Sequence, residues 1–83
     1  AMIDCNKLYG TSTFSRWPDE VQEVLVNMVF NLGRTRLAKF VNFRKALIQE
    51  DWRRAAVEGR DSRWYLQVTN RAERLMRRLE NIT

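Results

Sequence analysis

The sequence predicts an all-α protein, a compact bundle of about five to seven mostly short helices around a buried central helix. Two observations lead to this prediction. No run of residues alternates between apolar and polar side chains for long enough to form a strand. In contrast, the segment VQEVLVNMVFNLG repeats its apolar groups at the spacing of one helix face, at Val21, Val24, Leu25, Met28, Val29 and Leu32.

The central helix is predicted over residues 18–32. Val26 and Phe30 lie off the main apolar face, so most of the circumference of this helix is apolar. Such a helix is normally surrounded by other helices. Pro18 suits the first turn and Gly33 suits the position just after the last turn. We therefore expect the rest of the chain to pack around this segment.

The chain divides into a leader, residues 1–17, and a helical domain, residues 18–83. The leader has no sustained period and contains several turn-forming residues, so we expect it to be mostly loop with at most one short helical turn. Its larger apolar side chains are expected to anchor it to the core. They are Leu8, Tyr9, Phe14 and Trp17.

Short helices are predicted after Gly33, at residues 34–39 and 41–49. Asp51 is a plausible N-cap for a helix that ends near Gly59. Asp61 or Ser62 is expected to cap a further turn, and Thr69 or Asn70 the last helix. The apolar face of that last helix is formed by Ala72, Leu75, Met76 and Leu79.

Composition narrows the classes of function. The 83 residues make one domain, and 15 basic against 10 acidic residues give a net charge of +5, which favours anionic partners such as nucleic acid, acidic lipid or an anionic wall polymer. With one cysteine and no histidine, neither an internal disulfide nor a metal cluster is expected, and no cofactor is indicated.

No apolar run approaches the length of about 18 residues that a membrane span needs, and the N-terminus lacks a signal-peptide pattern. The pair Ala1-Met2 has the form of an expression remnant joined to a start methionine.

Five short runs carry a resemblance to a known family. They are NMVFNLG at 27–33, KF at 39–40, DWRRAA at 51–56, SRWY at 62–65 and NRA at 70–72. Their order and spacing resemble the C-terminal helical lobe of the phage-type lysozymes, muramidases that cleave peptidoglycan. The resemblance covers about residues 18–80 and implies a helical bundle around one buried helix.

The same resemblance implies glycoside hydrolysis by a smaller N-terminal lobe that carries a Glu, then an Asp or Cys, then a Thr. Cys5 and Thr11 have a Cys-to-Thr spacing of this kind, but no Glu precedes them in these 83 residues. We therefore expect no catalytic residue, and the chain alone is predicted to be inactive. Most of the carboxylates fit helix caps or first turns (Asp19, Glu20, Asp51, Asp61) or a solvated surface (Glu23, Glu50, Glu58, Glu73, Glu80).

Three residues match family positions that line the sugar-binding cleft between the lobes, and they are the predicted substrate-binding residues. Phe30 has two interpretations, a cleft-lining ring or a core residue. Phe43 and Glu58 stand at positions that are usually small or polar in the family. A bulky ring there would narrow the cleft, and a carboxylate would change its charge.

Other aromatic and basic residues also have two interpretations. Trp52, Trp64 and Tyr65 either stack on a sugar face or, as we favour, pack in the core with their N–H or O–H groups satisfied. The arginines of the last helix either contact phosphates or, as we favour, form a solvated face. These arginines are Arg71, Arg74, Arg77 and Arg78.

Three functions follow in order of preference. The first is the C-terminal lobe of a phage-type lysozyme, with peptidoglycan or a complementary catalytic lobe as partner. The second is a non-catalytic cell-wall-binding or protein-interaction module that self-associates through exposed apolar surface. The third, nucleic-acid binding, is disfavoured. A phage-derived chain would be made in the bacterial cytoplasm and act at the cell wall.

Overall fold

The computed structural model describes residues 2–82, which form eight helices and no strand. The all-α prediction is confirmed, and the number of helices exceeds the predicted five to seven. The helices are α1 (Met2–Tyr9), α2 (Thr11–Ser15), α3 (Asp19–Leu32), α4 (Arg34–Ala38), α5 (Val41–Ile48), α6 (Trp52–Arg60), α7 (Arg63–Gln67) and α8 (Thr69–Glu80). None of these helices is long and apolar enough to cross a membrane.

Helix α3 occupies the segment predicted for the central helix. It begins after Pro18 and ends at Gly33, whose φ of 86° is a backbone conformation that favours glycine. The six residues of its predicted apolar face are all buried. However, Phe30 is 87% exposed and Val26 is only partly buried. The expectation that other helices surround α3 is therefore wrong on one side, where a face of the helix meets solvent.

The leader is more helical than predicted. Instead of a loop it forms α1 and α2, which are separated by Gly10 at a φ of 89°. Helices this short have little stability of their own and depend on tertiary packing, which local sequence patterns do not reveal. The predicted anchors Tyr9, Phe14 and Trp17 are buried, and Leu8 packs against the same core.

Trp17 connects the leader to the rest of the bundle. Its ring lies 5.4 Å from the ring of Tyr9, 5.9 Å from Phe14 and 5.7 Å from Trp52 at the start of α6. Edge-to-face and tilted contacts at these distances are favourable aromatic geometries. The leader and the helical domain therefore share one hydrophobic core.

Two of the predicted helix caps are confirmed. The side chain of Asp51 accepts a hydrogen bond from the backbone N–H of Arg54 at 3.1 Å, and Ser62 accepts one from Tyr65 at 3.2 Å. The cap predicted at Thr69 or Asn70 is wrong, because α8 follows Val68 without a side-chain cap. Thr69 instead donates its hydroxyl to the carbonyl of Tyr65 at 2.8 Å.

Helices α5, α6 and α8 meet around Gly59. A Cβ atom at this position would lie 2.4 Å from Sδ of Met76 on α8 and 3.5 Å from Cε1 of Phe43 on α5. Real Cβ atoms do not approach sulfur so closely, so the absence of a side chain lets the three helices pack tightly. This junction fixes the position of Phe43, one of the predicted site residues.

Candidate functional site

The structure separates the three predicted substrate-binding residues into two surfaces. Phe30 lies on the solvent face of α3 and lines one groove, whereas Phe43 on α5 and Glu58 on α6 line another pocket. Phe30 is 87% exposed and Phe43 is 1% exposed. The two phenylalanines therefore have opposite environments, although the resemblance assigned them the same role.

The groove beside Phe30 runs between α3 and α8 and has a volume of about 410 Å³. Its lining combines one exposed ring with amide and guanidinium groups: Asn27, Phe30, Asn31, Arg71, Arg74, Leu75 and Arg78. Arg71 donates to the side-chain oxygen of Asn31 at 2.6 Å, which holds the two helices together at this end. An exposed ring beside several N–H donors can pack on a sugar face and hydrogen-bond its hydroxyl groups.

Sequence spacing explains why Phe30 reaches solvent. Residues 19, 23, 26 and 30 are separated by four, three and four positions, so they share one face of α3. This face lies opposite the six buried residues of the helix. Of the two interpretations of Phe30, the core interpretation is therefore wrong.

The second pocket lies where α5 meets the end of α6 and has a volume of about 310 Å³. Besides Phe43 and Glu58 it is lined by Lys39, Phe40, Val41, Asn42, Asp61, Ser62 and Arg63. Glu58 accepts a hydrogen bond from Nε of Arg54 at 2.9 Å. The ring of Phe43 is held in the core by an edge contact with Phe40 at 6.0 Å and by the junction at Gly59. Phe43 therefore closes the floor of this pocket, and the polar groups form its walls.

Three carboxylates take part in arginine pairs that lower their pKa values. Glu73 accepts hydrogen bonds from Arg60 at 2.9 Å and from the hydroxyl of Tyr65 at 2.9 Å, and these bonds lower its pKa from 4.5 to about 2. The bond from Arg60 likewise lowers the pKa of Glu80, and the bond from Arg78 lowers that of Glu20. A general acid needs the opposite shift, because it must be protonated before it donates.

The network around Arg60 is absent from the sequence-based prediction. Glu73 and Glu80 were expected to be solvated, but Arg60 bridges them and ties α6 to α8 through four N–H to O contacts of 2.8 to 3.3 Å. Charge-assisted pairs with this two-pronged geometry are stronger than neutral hydrogen bonds. The only signal for this network in the sequence is its charge pattern. Arg60 lies at the end of one helix, and the acidic residues Glu73 and Glu80 lie seven positions apart on another.

The remaining aromatic candidates belong to the core, as favoured. Trp52 and Trp64 are buried, and Tyr65 is partly buried with its hydroxyl bonded to Glu73. The expectation of a satisfied N–H is wrong at Trp64, whose Nε1 is buried without a hydrogen-bond partner within residues 2–82. The ring packs 6.4 Å from Phe40, so burial of apolar area outweighs the unpaired donor.

The Cys-to-Thr pair does not form a reactive site. Cys5 is fully buried in the core, and burial raises the pKa of its thiol to about 11, so it is not a nucleophilic thiolate at neutral pH. Thr11 lies on the exposed start of α2. Among residues 2–82 there is also no cluster of acidic, thiol or imidazole groups with the makings of a metal site.

Comparison with known proteins identifies the class. The chain is 34% identical over 78 residues to the probable T4-type lysozyme 2 of Dictyostelium discoideum, and this match covers 89% of the chain and 46% of the relative. It is also 43% identical over 54 residues to the pre-baseplate central spike protein Gp5 of Enterobacteria phage T4, covering 65% of the chain and 9% of that protein. No protein-family model matches the chain.

These matches confirm the resemblance to the phage-type lysozyme family that the sequence indicated. The chain belongs to the phage-type lysozyme family. It spans about half the length of the Dictyostelium relative and less than a tenth of the phage protein.

Proposed function

We propose that residues 18–83 form the C-terminal lobe of a phage-type lysozyme fold and contribute one wall of a cleft that holds peptidoglycan. Hydrolysis then requires a catalytic lobe, whichever chain supplies it. Within the 83 residues the helical lobe binds and positions glycan and is not catalytic alone.

The exposed ring of Phe30 is the single observation that carries this proposal. A phenylalanine that is 87% exposed on the central helix has no role in the core, and it lies at a family cleft position. It is surrounded by amide and guanidinium donors in a groove of about 410 Å³. Sugar rings present apolar faces and hydroxyl edges, and this combination of groups suits both.

The pocket at Glu58 supports a second contact with the same polymer. Glu58, Asp61 and Asn42 present acceptors, and Lys39 and Arg63 present donors, around an opening of about 310 Å³. Phe43 is buried and forms only the floor of this pocket, so its ring does not project between the polar groups. Its effective lining is polar, which suits a glycan hydroxyl or an acetamido group.

The expectation of inactivity rests on the state of the carboxylates. The arginine pairs that lower the pKa values of Glu73, Glu80 and Glu20 keep these groups ionised at neutral pH. An ionised carboxylate cannot protonate the leaving oxygen of a glycosidic bond. None of these three carboxylates therefore suits the role of general acid, which supports the proposal that the chain alone does not hydrolyse glycan.

A turbidity assay on purified cell walls tests this proposal. The 83-residue chain is assayed alone and together with a Glu-bearing catalytic lobe of a related lysozyme. We expect clearing only from the mixture. Clearing by the chain alone would overturn the claim of inactivity, and failure of the mixture to exceed the catalytic lobe alone would overturn the claim of a complementary lobe.

A sedimentation pull-down on insoluble peptidoglycan tests the binding surface separately. Phe30→Ala is expected to lower the bound fraction several-fold, because it removes the exposed ring without disturbing the core. Ile48→Ala is the matched control, since Ile48 is 48% exposed on α5 and lines neither the Phe30 groove nor the pocket at Glu58. Equal retention of Phe30→Ala and the wild type would exclude this face as the glycan surface.

A non-catalytic interaction module remains the second candidate function, and the exposed Phe30 with the partly buried Val26 on the same face of α3 favours it. Nucleic-acid binding has less support. Of the four arginines on α8, Arg71, Arg77 and Arg78 already bond to Asn31, Glu73 and Glu20 respectively. Those contacts compete with phosphate binding.

A further inference from the structure

The solvent face formed by α3 and α8 has a charge distribution that matches a second copy of itself. Along α3 this face presents Asp19, Glu23, Val26 and Phe30 at successive spacings of four, three and four residues. Two acidic residues therefore lie at one end of the face and two apolar residues follow them. Phe30 is 87% exposed.

Helix α8 runs antiparallel to α3 along the edge of this face. Arg78 near the end of α8 contacts Glu20 and lies 3.7 Å from Glu23, whereas Arg71 near its start contacts Asn31 near the end of α3. These cross-contacts fix the relative direction of the two helices. They also place Arg71 and Arg74 at the end of the face that holds Phe30.

The two ends of the face consequently carry opposite charge. One end has the carboxylates of Asp19, Glu20 and Glu23 against a single guanidinium, that of Arg78. The other end has Arg71 and Arg74, and its remaining groove residues between α3 and α8 are neutral apart from the Arg78 that both ends share. Among residues 2–82, Arg74 has no hydrogen bond or ion pair of its own.

The two ends of the face also differ in shape. Beside Val26 a second groove, of about 530 Å³, is lined by Asp19, Gln22, Glu23, Val26 and Asn27. It adjoins the Phe30 groove through Asn27, which lines both. The face thus has a protruding ring at its basic end and, at its acidic end, a groove with Val26 among polar side chains.

We propose that this face binds a second copy of the chain in a two-fold symmetric, antiparallel dimer. A two-fold interface brings the same surface patch together in reversed direction, so each end meets its opposite. Phe30 of each copy enters the groove beside Val26 of the other. Arg71 and Arg74 of each copy then lie over Glu23 and Asp19 of the other.

The dimer goes beyond the proposed function and competes with it, because the ring of Phe30 serves either a glycan or the partner copy. The contact is small, and interfaces of well under about 1,200 Å² in total are typical of weak, reversible complexes. We therefore expect a concentration-dependent equilibrium, with a dissociation constant on the order of 10–100 µM. Charge pairs at its two ends set the orientation and weaken with salt.

A charge-exchange experiment in the analytical ultracentrifuge tests the proposal with the 83-residue chain. Glu23→Arg places Arg against Arg74 of the other copy, and Arg74→Glu places Glu against Glu23, so each variant alone should associate at least about tenfold more weakly than the wild type. In an equimolar mixture both end contacts become complementary again. The mixture should recover association to within about threefold of the wild type.

Thermal unfolding of each variant, followed by circular dichroism, verifies that it is folded before association is measured. Phe30→Ala should abolish association, whereas Ile48→Ala, on a helix outside this face, should leave it unchanged. Wild-type association by both charge variants, or no recovery in their mixture, would overturn the antiparallel dimer. Neither measurement uses peptidoglycan, so failure of the dimer and failure of the glycan proposal are distinguishable.

Discussion

Phe43 and Phe30 show how differently one bundle can use the same side chain. Phe43 is 1% exposed and packs against Phe40 and the backbone of α6, whereas Phe30 is 87% exposed on α3. Both residues stand in amphipathic helices, and the sequence resemblance predicted the same substrate-binding role for both. The comparison teaches that the residues facing a side chain, and not its own apolar character, decide whether it supports the fold or presents a surface.

The difference originates in the helices opposite each ring. Phe43 is enclosed where α5, α6 and α8 meet, next to Gly59, whose missing side chain leaves the space that Met76 occupies. Phe30 lines the groove between α3 and α8. The residues of α8 in this groove include the long polar side chains Arg71 and Arg74. A core therefore forms around the first ring, and a groove remains beside the second.

The largest expected effect is the loss of stability from Phe43→Ala. Truncating a fully buried phenylalanine leaves a cavity and costs about 3–5 kcal/mol. For a domain of this size the midpoint of thermal unfolding should fall by at least about 12 °C. Calorimetry or circular dichroism measures this change. A fall of only a few degrees would mean that Phe43 is not part of the core.

The second effect concerns the junction at Gly59, beside Phe43. Gly59→Ala would place Cβ 2.4 Å from Sδ of Met76, and relief of that overlap costs about 1–3 kcal/mol, which exceeds the gain of about 0.5–1 kcal/mol from alanine in a helix. We expect a net destabilisation of about 1–2 kcal/mol in urea unfolding. In a Met76→Ala background the same change should become neutral or stabilising. Stabilisation by Gly59→Ala in the wild type would contradict the close packing at this junction.

Periodicity predicted the parts of this fold that depend on one helix at a time. The buried faces of α3 and α8, the stop at Gly33 and the caps at Asp51 and Ser62 all follow from local spacing and residue type. The leader was missed because α1 and α2 are stabilised by the burial of Tyr9, Phe14 and Trp17 in the shared core. That burial is a tertiary effect with no local signature.

The candidate site was predictable only in part for the same reason. The resemblance identified Phe30, Phe43 and Glu58, but exposure depends on facing helices, and so the sequence could not separate Phe30 from Phe43. The charge asymmetry of the α3–α8 face was also hidden. It requires the antiparallel alignment that places Arg78 beside Glu20 and Arg71 beside Asn31.

The third prediction concerns acid and the contact between α6 and α8. In the folded state Glu73 has a pKa of about 2 instead of 4.5, so its pairing with Arg60 contributes stability at pH values above about 4.5. This contribution is lost as the pH falls from about 4.5 through 2, because the group becomes protonated in both the folded and the unfolded state. Arg60→Gln should therefore be less stable than the wild type at pH 6, and the difference should shrink towards pH 2.

Two measurements check this prediction. Thermal midpoints of both proteins between pH 6 and 2 give the stability difference, and an NMR titration of the Glu73 carboxyl should show its pKa rise towards the ordinary value in Arg60→Gln. Arg54→Gln is the control, because it removes an exposed pair on α6 that contributes at most about 0.5 kcal/mol. A stability difference that stays constant down to pH 2 would mean that Arg60 acts by packing alone.

The smallest expected change in stability is that of Phe30→Ala. A ring that is 87% exposed forfeits little burial when it is removed, and alanine is the better helix former, so the free energy of unfolding should stay within about 0.5 kcal/mol of the wild type. The same substitution is expected to weaken both peptidoglycan retention and self-association, which a core substitution such as Phe43→Ala changes only by unfolding the chain. A large loss of stability in Phe30→Ala would place this ring in the core and remove the contrast with Phe43. A side chain that is packed in the core is not available to bind a glycan or a second copy of the chain.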